Sequence, residues 1–177
     1  MKKLVKLLDK AGNELVPDNI KNKKSKSRID AYSCDYINDK FETQYIVATI
    51  STPQEISSNY VVNLDKIAYQ NGNKLTLQNG KIKIGNGVSK IRVSAIAFVD
   101  GWAGDNSYIW TFVRKNQVPV SSFINSGSAN YISGSVPDTI IDVEENDVID
   151  LVTDATSSSG KLRTGQSNTQ LFVEVIN

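Results

Sequence analysis

Histidine is absent from this chain of 177 residues, and Cys34 is its only cysteine. The lack of histidine removes the commonest general base, the commonest metal ligand and the nucleophilic triads that depend on an imidazole. A single cysteine cannot form a disulfide within the chain. The sequence also has no phosphate-binding glycine loop and no zinc-type cysteine pair. We therefore expect no enzyme, no metal site and no cofactor.

Long apolar segments are also missing. No apolar run approaches the roughly 18 residues that a membrane helix needs, so no membrane association is expected. The start, MKKLVKLLDK, has only a short apolar patch and no small-residue cleavage site after it, which argues against a signal peptide. The hydrophobic content of 40% and the charged content of 22% are ordinary for a globular domain.

Charge is distributed unevenly along the chain. Residues 1–30 hold nine Lys and Arg but only four acids, although the formal net charge of the whole chain is +1. Aromatic residues are not interleaved with this basic run, which favours a linker that docks on a partner over a nucleic-acid site. The residues proposed for docking are Lys21, Lys23, Lys24, Lys26 and Arg28.

The composition changes near Ser51, where short strand-like segments begin to alternate with turns rich in Ser, Thr and Asn. Such strands at about 8–12-residue spacing are typical of an all-β antiparallel sandwich. Asn79-Gly80 and Asn116-Gln117 mark turns between strands. We therefore predict an attachment arm and linker over residues 1–50, followed by a β-sandwich head over residues 51–177.

Two apolar runs, Ile91–Val99 and Ser107–Arg114, are predicted to be strands at the centre of this head. The loop between them is rich in Gly, Asp and Asn, which predicts that they form a hairpin. Successive side chains of a strand point to opposite sides, and neither run has a purely polar side. We expect both sides to be covered, by a second sheet or by a neighbouring subunit. The residues assigned to the core or to a subunit interface are Phe98, Tyr108, Trp110 and Phe112.

Two aromatic residues, Trp102 and Tyr131, lie in segments that we predict to be loops, where an exposed ring binds carbohydrate or protein. Loop anchors packed on the core are the alternative for both. The acidic residues between Glu144 and Asp154 favour a turn over a calcium site or an acid/base pair. A carboxylate-based glycosidase using Asp147 or Asp150 is an alternative that the sequence does not favour.

Residues from about Ser57 to Asn177 resemble the jelly-roll domain of tumour necrosis factor and of the complement globular head, and most of all its version in bacteriophage and prophage fibre and minor structural proteins. The likeness rests on NGKIKIGNGVSKIRVSAIAFV, SYIWTFVRKNQVPV, VPDTIIDVEENDVIDLVTDA and TGQSNTQLFVEVI. Gln117 stands where the family usually has glycine. The opening VKLLDKAGNELVP is similar to the N-terminal attachment hairpins of phage appendage proteins.

This resemblance implies a jelly roll that works as a homotrimer. It implies a structural protein of the virion, such as a head fibre, tail fibre or capsid decoration, whose N-terminal arm contacts other virion proteins. Host-surface adhesion through a glycan is a further expectation, for which Trp102 and Tyr131 are the candidate residues. The alternative is a carbohydrate-binding module of a cell-surface or secreted protein.

Overall fold

A computed structural model describes residues 43–101, 107–127, 131–155, 160–165 and 167–176. The chain divides into two units between Glu42 and Thr43, and every described residue belongs to the second unit. The basic docking residues and Trp102 lie outside the described residues. The described part of the chain holds no helix that is long and apolar enough to cross a membrane.

The only regular secondary structure of the described residues is the β-strand. The first seven are β1 (Tyr45–Thr49), β2 (Gln54–Glu55), β3 (Tyr60–Val61), β4 (Lys66–Asn71), β5 (Leu75–Gln78), β6 (Lys81–Ile84) and β7 (Lys90–Asp100). The other six are β8 (Ser107–Lys115), β9 (Val118–Gly127), β10 (Tyr131–Asp142), β11 (Val148–Ala155), β12 (Lys161–Leu162) and β13 (Gln170–Val175).

The strands form two antiparallel sheets. In sheet 1, β7 pairs with β10 along one side, and along the other with β13 over Ile91–Ile96 and with β12 at Val99 and Asp100. Beyond these, β1 pairs with β13, β4 pairs with β1, and β2 pairs with β12. Sheet 2 has the order β5-β6-β11-β8-β9, with β3 paired to β11. The prediction of an all-β antiparallel sandwich is therefore confirmed.

The central hairpin prediction is wrong, because β7 lies in sheet 1 and β8 lies in sheet 2. Six residues separate Asp100 from Ser107. An extended segment of that length spans about 20 Å, which is enough to cross between sheets packed about 10 Å apart. The turn-forming residues of this segment therefore mark a crossover between the sheets. The hairpin partner of β8 is β9 instead.

The β8–β9 turn forms although Gln117 occupies the position of the usual glycine. Asn116 and Gln117 both have positive φ, 49° and 71°, as a tight hairpin turn of this type requires. The Asn116 side chain holds the turn in place: its Nδ2 donates to Asp147, and its Oδ1 accepts the N–H of Val148 at 2.9 Å. This anchoring explains how a non-glycine residue is accommodated there.

The core lies between the sheets and is built from alternate residues of the long strands. In β7 the buried set is Ile91, Val93, Ala95, Ala97 and Val99, and in β8 it is Ile109, Thr111 and Val113. Gly134 of β10 faces Thr111 so closely that a Cβ on Gly134 would overlap the threonine side chain. The absence of a side chain at Gly134 therefore sets how closely the sheets approach at this point.

The head begins before the predicted boundary at Ser51. Strand β1 pairs with both β13 and β4, and its residues Ile46 and Ala48 are fully buried. The compact unit accordingly starts at Thr43. The change of composition near Ser51 reflects the end of β1 and not the start of the domain.

Asp150 is a buried carboxylate on the outer side of sheet 2, with only 1% of its surface exposed. Arg114 of the neighbouring strand donates to it from Nε and Nη2, each at 2.8 Å. Lys81 Nζ lies 3.4 Å from Asp150 Oδ2. The hydrogen bond to Asp150 raises the pKa of the Arg114 guanidinium. Asp150 therefore links the strands β6, β11 and β8 and has a structural role.

Removing this carboxylate should destabilise the head. Asp150→Ala leaves the partly buried Arg114 without its partner, and breaking such a pair costs about 3 kcal/mol. The loss should be measured as the free energy of unfolding in urea. Glu55→Ala, which removes the exposed pair with Lys161, is the matched control and should cost less than about 1 kcal/mol. Equal losses for the two variants would contradict the structural role of Asp150.

Candidate functional site: the exposed aromatic faces

The three aspartates of the acidic segment, Asp147, Asp150 and Asp154, are engaged in separate contacts. Asp147 closes the turn before β11, where its Oδ2 accepts the N–H of Glu144 at 2.9 Å. Asp154 Oδ1 accepts from the Ser58 hydroxyl at 3.0 Å and from the Asn59 N–H at 3.2 Å. With Asp150 in its ion pair, the carboxylates proposed for a glycosidase hold the fold together.

Metal binding has no support within the described segments, which contain no group of three or more Cys, Asp or Glu residues suited to hold an ion. A half-open cleft of about 430 Å³ is lined by residues that include Thr49, Ser51, Lys66 and Thr164. The predicted site residues that the structure describes do not line this cleft. The described site residues Phe98, Tyr108, Trp110, Phe112 and Tyr131 lie on the outer faces of the two sheets.

The outer face of sheet 1 carries aromatic and apolar side chains between small polar ones. Phe172 of β13 is in register with Val47 of β1 on one side and with Ser94 of β7 on the other. Tyr45 lies beside Phe172, with ring centroids 6.4 Å apart. Ile96 of β7 is in register with Gln170 and Ser135. The centre of this face, around Ile96 and Phe172, is thus an uncharged surface on a single chain.

Phe98 and Tyr131 lie on this same face, and their side chains are in contact. Their rings are stacked, with centroids 5.6 Å apart and an interplanar angle of 14°. The Arg163 guanidinium lies over the Phe98 ring at 5.4 Å, and its Nε is 3.2 Å from Asp100. Because β10 and β12 pair with opposite sides of β7, Tyr131 and Arg163 flank Phe98.

Tyr131 is therefore not in a loop, as the sequence predicted, but is the first residue of β10, where it pairs with Asp100. It is 60% exposed and its ring is held by Phe98. The sequence assigned Phe98 to the core or to a subunit interface and Tyr131 to ligand binding. Because the two rings are in contact, a subunit interface at Phe98 and a ligand site at Tyr131 would occupy the same surface. Trp102, the other ligand-binding candidate, is outside the described residues.

Tyr108, Trp110 and Phe112 point to the outside of sheet 2, away from the core. Trp110 is 39% exposed, and its ring centroid is 4.5 Å from that of Phe112. Ile124 of β9 is opposite Trp110 and is 56% exposed. These aromatic residues are thus not core residues of the single chain. They also lie on the opposite sheet from Phe98, with which the sequence had grouped them.

A third exposed apolar region runs along the side of the sandwich where β9 and β10 meet. Among the described strands, β9 ends sheet 2 and β10 ends sheet 1. Asn125 Nδ2 donates to the Ser133 carbonyl at 2.8 Å, which joins the two strands. Val118 and Phe123 of β9 are exposed there, whereas the exposed Ile140 of β10 is in register with Arg92 and lies on the outer face of sheet 1. Sequence reasoning missed this region because β9 and the first half of β10 are rich in Ser and Gly.

The two sheets, their strand order and their antiparallel pairing are those of a tumour-necrosis-factor-like jelly roll. The structure is similar to a crystal structure of murine APRIL at pH 5.0, with a TM-score of 0.60 and 11% identity over 76% of this chain and 100% of that one. It is also similar to Eiger TNF from S. frugiperda, with a TM-score of 0.57 and 8% identity over 76% of this chain and 92% of that one. No family model matches the sequence, and no curated protein is similar to it. At these identities the likeness shows the fold alone.

The surroundings of Asp147 predict how the stability of the fold depends on pH. Burial is the largest single influence and opposes ionisation, but hydrogen bonds from the Glu144 N–H and Asn116 and the charge of Lys115 together outweigh it. The pKa of Asp147 is therefore lowered. A carboxyl whose folded pKa is lowered stabilises the fold above its unfolded pKa of about 3.9, and this stabilisation is lost as the pH falls through the folded pKa.

We expect Asp147→Asn to lower the free energy of unfolding by about 1 kcal/mol at neutral pH, because it weakens hydrogen bonds to a charged acceptor. The difference from the wild type should shrink as the pH falls through the lowered pKa of Asp147, because the wild-type carboxyl then also becomes protonated. Urea unfolding at a series of pH values measures both. Glu145→Gln, in the same turn and exposed, is the control and should show no such pH dependence.

Proposed function

We propose that this chain is a structural virion protein of a bacteriophage, whose jelly-roll head assembles as a homotrimer. The proposal has no catalytic step. Its main support is the aromatic outer face of sheet 1, which a single chain leaves uncovered. The phage assignment rests on the resemblance of the head and of VKLLDKAGNELVP to appendage proteins, and the virion is the location that this assignment implies.

The trimer proposal follows from two unlike apolar regions on the same chain. One is the outer face of sheet 1 around Ile96 and Phe172, and the other is the β9–β10 edge with Val118 and Phe123. A contact between a face and an edge is heterologous, and such contacts form a closed ring when the rotation between copies permits it. The tumour-necrosis-factor resemblance implies that the ring has three members.

The composition of the sheet 1 face also fits a subunit contact. Ser94, Ser133 and Ser135 lie between the larger side chains, so a second copy can approach the sheet closely without burying unpaired charge. The charges described on this face are paired, as in Arg92 with Glu174 at 3.3 Å, Arg163 with Asp100 at 3.2 Å and Lys90 with Asp142 at 3.4 Å. A flat face of this kind is expected to pack against another apolar surface.

A carbohydrate-binding module of a cell-surface or secreted protein is the second candidate. The observation that favours it is Tyr131, an exposed ring held in place by Phe98. A trimer contact through Phe98 covers or crowds Tyr131. The trimer therefore requires these two rings to be covered, whereas carbohydrate binding requires Tyr131 to be open to solvent.

The purified full-length chain should be a trimer at micromolar concentration. Phe172→Asp should convert it to a folded monomer, because a charge on the proposed contact face would be buried without a partner. Light scattering gives the mass, and circular dichroism checks the fold. Val61→Asp, which places the same charge on the outer face of sheet 2, should leave the trimer intact. A folded wild-type monomer, or dissociation by Val61→Asp alone, would contradict this interface.

The N-terminal arm should be required for attachment to the particle and not for folding. A chain that starts at Thr43 keeps every described strand and should remain a folded trimer. Virions from the phage that carries the gene should incorporate the full chain but not this truncated form. Antibody against residues 43–177, followed by gold-labelled electron microscopy, measures incorporation. Normal occupancy by the truncated form would rule out the arm as the attachment segment.

Changing Lys21, Lys23, Lys24, Lys26 and Arg28 together to Ser should weaken attachment in the same assay, if the arm docks through its charge. Attachment of the wild type should also weaken as salt increases, because exposed charges are screened beyond about 8–10 Å at physiological ionic strength. Loss of attachment after truncation, without an effect of the five substitutions, would show that other parts of residues 1–42 make the contact.

A further inference from the structure

Trp110 and Phe112 form an aromatic pair on the outer face of sheet 2 that the proposed trimer contact does not use. Their ring centroids are 4.5 Å apart, and the rings are tilted by 37° to each other. Both residues lie on β8, which has hydrogen-bonded neighbours on both sides, β11 and β9. The backbone beneath the rings is therefore held along its whole length, which fixes the position of the pair.

The pair has apolar neighbours, which include the exposed Ile124 opposite Trp110, and polar neighbours on both adjacent strands. Val152 of β11 is in register with Phe112 and is almost fully buried. Ser122 of β9 is in register with Phe112 on the other side and is exposed. Asp154 is in register with Trp110. A surface of this kind suits a ligand that has a flat apolar face and hydroxyl groups around its edge.

Asp154 is held in a fixed position as a hydrogen-bond acceptor. Both of the hydrogen bonds described for its carboxylate end on Oδ1, from the Ser58 hydroxyl and the Asn59 N–H. Within the described part of the chain, Oδ2 is thus the oxygen left to accept a hydroxyl from a ligand. Asn59 has a positive φ of 52°, so the loop turns sharply at the residue that binds Asp154.

We propose that Trp110 and Phe112, with Asp154 and Ser122 at the rim, bind one pyranose ring of a saccharide. The C–H face of the sugar stacks on the indole, and its hydroxyls donate to Asp154 and exchange hydrogen bonds with Ser122. An apolar protein surface laid over the pair would leave the Asp154 carboxylate beside Trp110 desolvated and without a further partner, whereas a sugar hydroxyl donates to it. The fixed acceptor therefore favours a saccharide over a protein.

This site is independent of the ring pair Phe98 and Tyr131, which lies on the other sheet. Trp110, Phe112 and Asp154 lie on the outer face of sheet 2, which the proposed trimer contact does not use, and Ser122 faces the same way on β9 beside Phe123 of the contact edge. Host-surface adhesion, as a role for the site, rests on the proposed function. Saccharide binding itself does not, because it depends only on residues of one chain.

Tryptophan fluorescence tests the site directly. The chain has two tryptophans, so in a Trp102→Phe background the emission reports Trp110 alone. The full chain in this background is titrated with methyl β-D-galactopyranoside, methyl N-acetyl-β-D-glucosaminide and the β-linked tetrasaccharides of both sugars. At least one of these should shift the emission in a saturable way. No change with any of the four would overturn the proposal.

Variants then locate the binding by calorimetry with the saccharide that gives the shift. Trp110→Ala and Phe112→Leu should each weaken binding by about tenfold or more, since a stacking contribution of about 1.4 kcal/mol corresponds to a factor of ten. Tyr69→Ala, which removes an exposed aromatic on sheet 1, is the control and should bind as the wild type does. The melting temperature of each variant confirms that it is folded.

The outcomes separate this site from its rivals. Unchanged binding by Trp110→Ala and Phe112→Leu would overturn the proposal, and loss of binding by Tyr131→Ala alone would move the site to sheet 1. A monomeric wild-type chain that binds saccharide through Trp110 would support this site while contradicting the proposed trimer. A trimer that binds none of the four saccharides would overturn the site and leave the proposed assembly standing.

Discussion

The alternation of side chains along β7 and β8 is the constraint on which the rest of this structure depends. A strand has two sides, and a two-sheet sandwich covers only one of them. In this chain Ile91, Val93 and Ile109 fill the space between the sheets, while Phe98 and Trp110 point outward on opposite faces. The fold is therefore complete within one chain, but its outer surfaces are more apolar than folding alone requires.

The local pattern of the sequence was enough to predict the sandwich and several of its turns. Period-two alternation identifies β7 and β8, and Asn79-Gly80 identifies the β5–β6 turn, where both residues have positive φ. Strand pairing was not predictable in the same way. The pairs β7–β10 and β1–β13 join residues that are distant in the chain, and alternation in one strand does not say which other strand lies beside it. The incorrect prediction of a β7–β8 hairpin arose because alternation does not identify the neighbouring strand.

The roles of side chains were predictable where they depend on neighbours in the sequence, and not where they depend on residues distant in the chain. Asp147 belongs to a turn that the residues around it already indicate. Asp150, three positions later, is a buried ion-pair partner because β6 and β8 bring Lys81 and Arg114 to it. The Ser and Gly residues around Tyr131 predict a loop, although such residues are tolerated in β10, where Gly134 must fit against Thr111.

The contact between Phe98 and Tyr131 changes how assembly and adhesion can be divided on this fold. Two rings stacked on one face cannot be buried by a subunit and also be open to a ligand. If sheet 1 makes the contact between copies, adhesion must use a surface elsewhere. Sheet 2 offers Trp110 and Phe112 for that role, on a strand whose inner side chains are fixed in the core. The sandwich would then separate the two roles by its own thickness, with one sheet facing the other copies and the other facing outward.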